Sequence, residues 1–187
     1  MSSATPNVLR AYQRNTFSVG LMIALSSWAL IFVTLVWGYV VYRLRSQSWM
    51  GDQITSSAGV VADLNTLLIV LSSWFLAWAF KADAVKAKAL VWVTFVLGVM
   101  FLVGQVCLWK MVMHTGLHWK TSIAGSFFFL LTGFHALHIV GALVAIMLLC
   151  LRFDQWRGST LSIGIKYFWD FLLIVWVVMF LLIFIIK

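Results

Sequence analysis

Apolar residues in this chain run together in long blocks; they neither alternate nor keep to one helical stripe. Five blocks stand out: Phe17–Tyr42, Val60–Phe80, Ala89–Trp109, Ser122–Leu151 and Ser162–Ile186. A helix needs about 20 apolar residues to cross the hydrocarbon core of a bilayer, and each block is that long. Within that core backbone N–H and C=O groups must be satisfied by the segment itself, which excludes irregular spans. The pattern therefore predicts an all-α, polytopic membrane protein: a bundle of five transmembrane helices. The polar segments between the blocks are too short for a second folded unit, so residues 1–187 are read as a single membrane domain. No internal repeat and no low-complexity segment interrupts it.

Composition strengthens this reading. Of the 187 residues, 64% are hydrophobic and 10% charged, against roughly 25% charged in an average soluble domain. The formal net charge is +8, but the basic residues fall in short clusters between apolar blocks. That is the distribution of loop charges at a membrane surface, and it gives no basic face for nucleic acid. One side would carry Arg10, Arg14, Lys81, Lys86, Lys88, Arg152, Arg157 and Lys166; the other would carry Arg43, Arg45, Lys110, Lys120 and Lys187. Lysine and arginine favour the cytoplasmic side, which points to a cytoplasmic N-terminus and an outside C-terminus. The first block is much longer than a signal-peptide core, so no cleaved signal is expected. Cys107 and Cys150 have no metal-type spacing and read as small apolar packing residues.

Several polar residues sit in or beside the blocks. Tyr39 and Tyr42 near the end of the first fit an interfacial aromatic belt. Gly51, Ser56, Ser57 and Gly59 suit a surface connection. Asp63 is expected in the first turn or so of the second helix, where the helix N-terminus favours a carboxylate. Asn65, Thr66, Ser72 and Ser73 can hydrogen-bond between helices, and Gln105 in the third block should find a partner on a neighbour. His114 and His118 would share a helix face at i, i+4 spacing, though no further ligand flanks them. In the fifth block Asp170 follows Lys166 by four residues, so the two charges can pair across one turn.

The most unusual stretch is Phe127-Phe128-Phe129-Leu130-Leu131-Thr132-Gly133-Phe134-His135-Ala136-Leu137-His138-Ile139-Val140-Gly141. It places two histidines about a turn apart near mid-membrane, where ionisable side chains are costly and usually have a specific role. Three roles compete. Haem or copper coordination needs a matching ligand on another helix, and none of the other four blocks holds a histidine. A proton relay needs further ionisable groups in series, and the membrane interior offers almost none. In the third, His135 and His138 are structural imidazoles bonded between helices or to backbone, with Gly133 and Gly141 admitting a neighbouring helix. The ligand count favours the third.

These residues also carry a resemblance. Leu131-Thr132-Gly133-Phe134-His135-Ala136-Leu137-His138 with Gly141 resembles the Leu-Thr-Gly-x-His-x-x-His signature of cytochrome c oxidase subunit III. Asn65-Thr66 before Ser72-Ser73, Leu97-Gly98 with Phe101 and Gln105, and Trp169-x-Phe171 with Trp176 are similar to further segments of that family, in the same order. The five spans match its short bacterial form. The chain departs from the family at Trp28 and Leu108, where glutamate is usual, at Asp170, where histidine is usual, and at Leu173, where aspartate is usual.

The resemblance implies a cofactor-free accessory subunit of a proton-pumping haem–copper terminal oxidase, supporting assembly and sustained turnover in aerobic respiration. Haem and copper would lie in the partner catalytic subunits, subunit I and subunit II. Phospholipid would bind in a cleft, and the setting would be the bacterial inner (cytoplasmic) membrane. It assigns this chain no catalytic, cofactor or metal residue. Asn65, Thr66, Gln105, Thr132, Gly133, His135, His138, Gly141, Trp169 and Asp170 become structural, subunit-interface or lipid-contact residues. The alternatives are a subunit of a nitric oxide reductase or quinol oxidase and, from another class, a membrane b-type cytochrome using His135 and His138.

Overall fold

A computed structural model describes residues 6–46, 56–120 and 122–185, with side chains from Thr16 onward. Five long helices account for most of it: α1 (Pro6–Arg45), α2 (Ser56–Ala79), α3 (Ala84–His114), α4 (Ile123–Leu151) and, after the short α5 (Phe153–Trp156), α6 (Thr160–Phe180). The last turns of α6 widen into a π-helical segment, Leu181–Ile185. All five long helices have the length and apolar composition to cross a membrane. The chain is a multi-pass, all-α membrane protein.

The helix ends follow local chemistry. Ser122 caps α4 by accepting a hydrogen bond from the Gly125 N–H at 3.0 Å, and Ser159 caps α6 by accepting from the Ser162 N–H at 3.2 Å. Gly116, at φ +87°, turns the chain after α3, a conformation that costs glycine little. His118 therefore lies in the loop, and His114 and His118 share no helix face. The start of α2 also differs from expectation. Ser56, Ser57 and Gly59 are helical because Ala58 and Ala62, both fully buried, pack the first turns inward. Gly51 lies outside the described residues. Since α2 begins at Ser56, Asp63 falls beyond its second turn, exposed, away from the helix N-terminus.

Four helices close a ring: α2 packs on α3, α3 on α4, α4 on α6 and α6 back on α2. Phe101, Leu108, Phe128, Ile139, Trp169 and Trp176 fill its axis. Helix α1 lies outside, in the groove between α4 and α6. The outer surface is as apolar as the inside, with Met22, Leu30, Val103, Leu137 and Ile174 all well exposed. With lipid outside, burial of apolar surface no longer selects one arrangement over another, so close packing and polar ties must do so.

Two glycines make that closeness possible. A Cβ on Gly104 would lie 2.0 Å from Asn65 Oδ1, and one on Gly98 would lie 2.7 Å from Leu143 Cδ2 and 2.8 Å from the Trp169 ring. By contrast nothing lies within 4 Å of a Cβ at Gly133 or Gly141, and Gly141 is exposed. The expectation that Gly133 and Gly141 admit a neighbouring helix is therefore corrected; the close approaches are made by α3. Tyr39 is corrected as well: it is buried against α6, while Tyr42 is exposed. Cys107 is exposed and Cys150 buried, and both are free thiols, so only Cys150 packs as expected.

These contacts predict a contrast. Gly104→Ala forces Asn65 or α2 to move and should destabilise the fold by about 1–3 kcal/mol, the usual cost of overpacking. Gly141→Ala should stay within about 0.5 kcal/mol of the parent. Thermal midpoints of the two variants in the same detergent would show the difference.

Candidate structural site around His135

His135 lies 12 residues beyond Ile123, about 18 Å along α4 and near the middle of its span. Its side chain is fully buried in a box of rings from three other helices. The Trp176 indole stacks on it at 5.6 Å, and the Phe101 and Phe32 rings meet it edge-on at 6.0 and 6.3 Å. Neither ring nitrogen has a hydrogen-bond partner. His138, one turn on, is half-buried towards α1. Its Nδ1 lies 2.7 Å from the Phe134 carbonyl oxygen of its own helix, and Trp28, Phe32 and Phe134 surround the ring at 5.4, 5.5 and 4.6 Å. Of the bonds expected between helices or to backbone, His138 makes the second kind, to its own helix, and His135 makes neither and is held by rings. Among the described residues no three His, Cys, Asp or Glu side chains are placed to hold a metal ion.

Polar ties between helices lie at this level and to either side of it. The Trp109 indole N–H donates to Thr132 Oγ1 at 2.9 Å, joining α3 to α4, and Thr132 itself donates to the Phe128 carbonyl. The Trp176 indole N–H donates to Thr66 Oγ1 at 3.0 Å, joining α6 to α2. Ser72 donates to the Thr94 carbonyl at 3.1 Å and Thr94 returns towards the Ser72 carbonyl at 3.3 Å, joining α2 to α3. Ser73 Oγ donates to Asp170 Oδ1, and Lys166 Nζ donates to Asp170 Oδ2 at 2.5 Å. This last cluster joins α2 to α6. Two buried polar side chains depart from expectation: Gln105 has no partner on either terminal atom, and Asn65 Nδ2 has none. Fully buried Trp169 covers Gly98 with its ring, and its N–H is also unpartnered.

A family model described as cytochrome c oxidase subunit III matches residues 8–187. The chain belongs to the cytochrome c oxidase subunit III family. It is 28% identical over 194 residues to a "Probable cytochrome c oxidase subunit 3" of Nocardia farcinica, covering 100% of this chain and 96% of that protein. It is 27% identical to a "Cytochrome c oxidase subunit 3" of Corynebacterium diphtheriae, covering 98% and 95%. A protein of the same name from Thermostichus vulcanus is 26% identical, covering 95% and 91%.

Membership in the subunit III family gives the departures at Trp28, Leu108 and Asp170 a structural meaning. Trp28 fills the wall beside His138 with an aromatic ring, and Leu108 is fully buried in the apolar axis. Asp170 is served by Lys166 and Ser73, so its carboxylate is not left unpaired. The aromatic box itself was missed: Phe32, Phe101 and Trp176 come from three helices, and a sequence signal for it exists only in the spacing of Phe101 from Gln105 and of Trp169 from Trp176.

Asp170→Asn leaves the Lys166 ammonium without its counter-charge at 26% exposure, and it should lower the thermal midpoint. Replacing both, as Lys166→Met with Asp170→Leu, should recover most of that loss, because no lone charge remains. A midpoint that falls further in the double variant would contradict this account.

Proposed function

We propose that the chain is the accessory subunit III of a proton-pumping haem–copper terminal oxidase, supporting assembly and sustained turnover of the catalytic subunit. The observation that carries this reading is the family match over residues 8–187, joined to near-complete coverage of relatives named cytochrome c oxidase subunit 3. Those names favour neither a nitric oxide reductase nor a quinol oxidase, nor a b-type cytochrome. Haem and copper belong to subunits I and II in this reading, and this chain holds neither. Several of its polar side chains join neighbouring helices: Thr66, Ser72, Thr94, Thr132 and Asp170 each tie two helices together. That is the behaviour of a scaffold, and it supports structural roles for the buried His135, Asn65, Gln105 and Trp169, with His138, Gly133 and Gly141 at half-buried or exposed positions of α4 left to meet a neighbouring subunit or lipid.

The whole chain acts as one membrane domain in the bacterial cytoplasmic membrane, with phospholipid on its apolar outer faces. The loop clusters support a cytoplasmic N-terminus. Arg157 Nη2 donates to the Ala82 carbonyl at 2.7 Å, which draws the loop cation Arg157 to the end of the bundle that carries Lys81, Lys86 and Lys88.

Isolation of the chain from its native membrane should bring with it a haem-containing catalytic subunit, read by mass spectrometry and by the visible spectrum. Recovery of the intact chain without a haem–copper partner would overturn the proposal. His135→Ala, which empties the aromatic box, should loosen retention of the chain on the complex while the haem spectrum of the catalytic subunit persists. A lost haem signal in a complex that still assembles would instead make His135 a ligand.

A further inference from the structure

We propose that the interior of the bundle holds a buried water site bridging Asn65 of α2, Gln105 of α3 and His135 of α4. The contacts of their neighbours bring the three side chains to about one level of the bundle. Asn65 Oδ1 occupies the space where a Cβ of Gly104 would be, which sets Asn65 beside Gln105. Helices α3 and α4 run antiparallel: the Phe101 ring meets His135 at 6.0 Å, and the Trp109 N–H reaches Thr132 at 2.9 Å. Gln105, one turn from both Phe101 and Trp109, thus faces the turn of α4 that carries Thr132 and His135. All three are at most 1% exposed, and Asn65 Nδ2, both terminal atoms of Gln105 and both ring nitrogens of His135 lack protein partners.

Buried polar groups left unpaired cost roughly 1–3 kcal/mol each, and native proteins leave few of them. The three side chains do not pair with one another: Asn65 Nδ2, Gln105 Nε2 and Oε1 and both imidazole nitrogens are all left without a partner. The set contains donors (the two amide nitrogens and the N–H of an uncharged imidazole) and acceptors (Gln105 Oε1 and the other ring nitrogen). Water donates as well as accepts, so one molecule among them serves groups of both kinds. Buried waters typically make about three such bonds to groups otherwise unsatisfied. The surrounding rings of Phe101, Trp109 and Trp176 supply no acceptor that could replace it. A metal ion is a poor occupant, because one imidazole and two neutral amides are weak ligands and, among the described residues, no three His, Cys, Asp or Glu side chains converge to hold one.

The site makes a signed prediction, testable on the chain in its native complex. Gln105→Met keeps the length of the side chain and removes its polar atoms. If water bridges the three groups, this change strands the water and His135, and the thermal midpoint of the subunit should fall by about 2–4 °C. In combination with His135→Phe the fall should be smaller than the sum of the two single effects, because both act on one network. If the site is dry, Gln105→Met removes an unsatisfied group from an apolar core; an unchanged or raised midpoint, or additive effects, would overturn the proposal. A high-resolution cryo-electron microscopy map of the unmodified complex gives an independent reading. Discrete density between Asn65, Gln105 and His135 supports it, and direct contact between Gln105 and His135 with nothing between them refutes it.

Discussion

Everything in this fold depends on one constraint: hydrocarbon offers no hydrogen bonds. Helices satisfy the backbone on their own, but a hydroxyl, amide, indole or carboxylate that projects inward has only its own helix or a neighbouring one to bond to. Each interface in the four-helix ring has at least one specific recognition point apart from α4 with α6, where His135 stacks on Trp176 instead. Individually such bonds contribute little, about 0.6 kcal/mol on average in membrane proteins. Their value here is positional. Apolar side chains gain nothing from choosing another helix over lipid, whereas a serine that meets the wrong register leaves a polar atom bare.

Helix α4 is the element against which the others are placed. It touches α3 through Thr132, α6 through His135 and α1 through Phe134 and His138, so this stretch is divided among three neighbours within two turns. The same stretch contains no atom arrangement that needs a metal. What looked in isolation like a pair of ligands is a pair of imidazoles with different surroundings, one boxed by rings in the core and the other bonded to its own backbone under α1.

Much of this was legible beforehand, and the reasons for the rest are physical. The five spans follow from block length alone, and the Lys166–Asp170 pair follows from spacing on one helix. The family signature around His135 was readable because it is contiguous. Glycine roles were not: Gly98 and Gly104 face other helices while Gly133 and Gly141 do not, and no local pattern distinguishes them. Gln105 and Asn65 show the same limit, since a residue type declares a need for a partner without saying whether the neighbouring helix brings one. The burial of Tyr39 depends on the π-helical end of α6, a feature that the 40 residues of α1 do not reveal by their own periodicity.

That π-helical end has a consequence for how the chain is built. The Leu182 carbonyl accepts from Arg43 Nη1 at 2.7 Å and from the Tyr39 hydroxyl at 3.3 Å, so the far end of α1 is fastened to a residue 139 positions beyond Arg43. Its main contacts are with α4 and α6, and α2 and α3 pack chiefly on each other and on those same later helices. The seat of α1 is therefore complete only where α4, α6 and the π-helical segment are already in place, whereas α2 and α3 hold each other through contacts of their own.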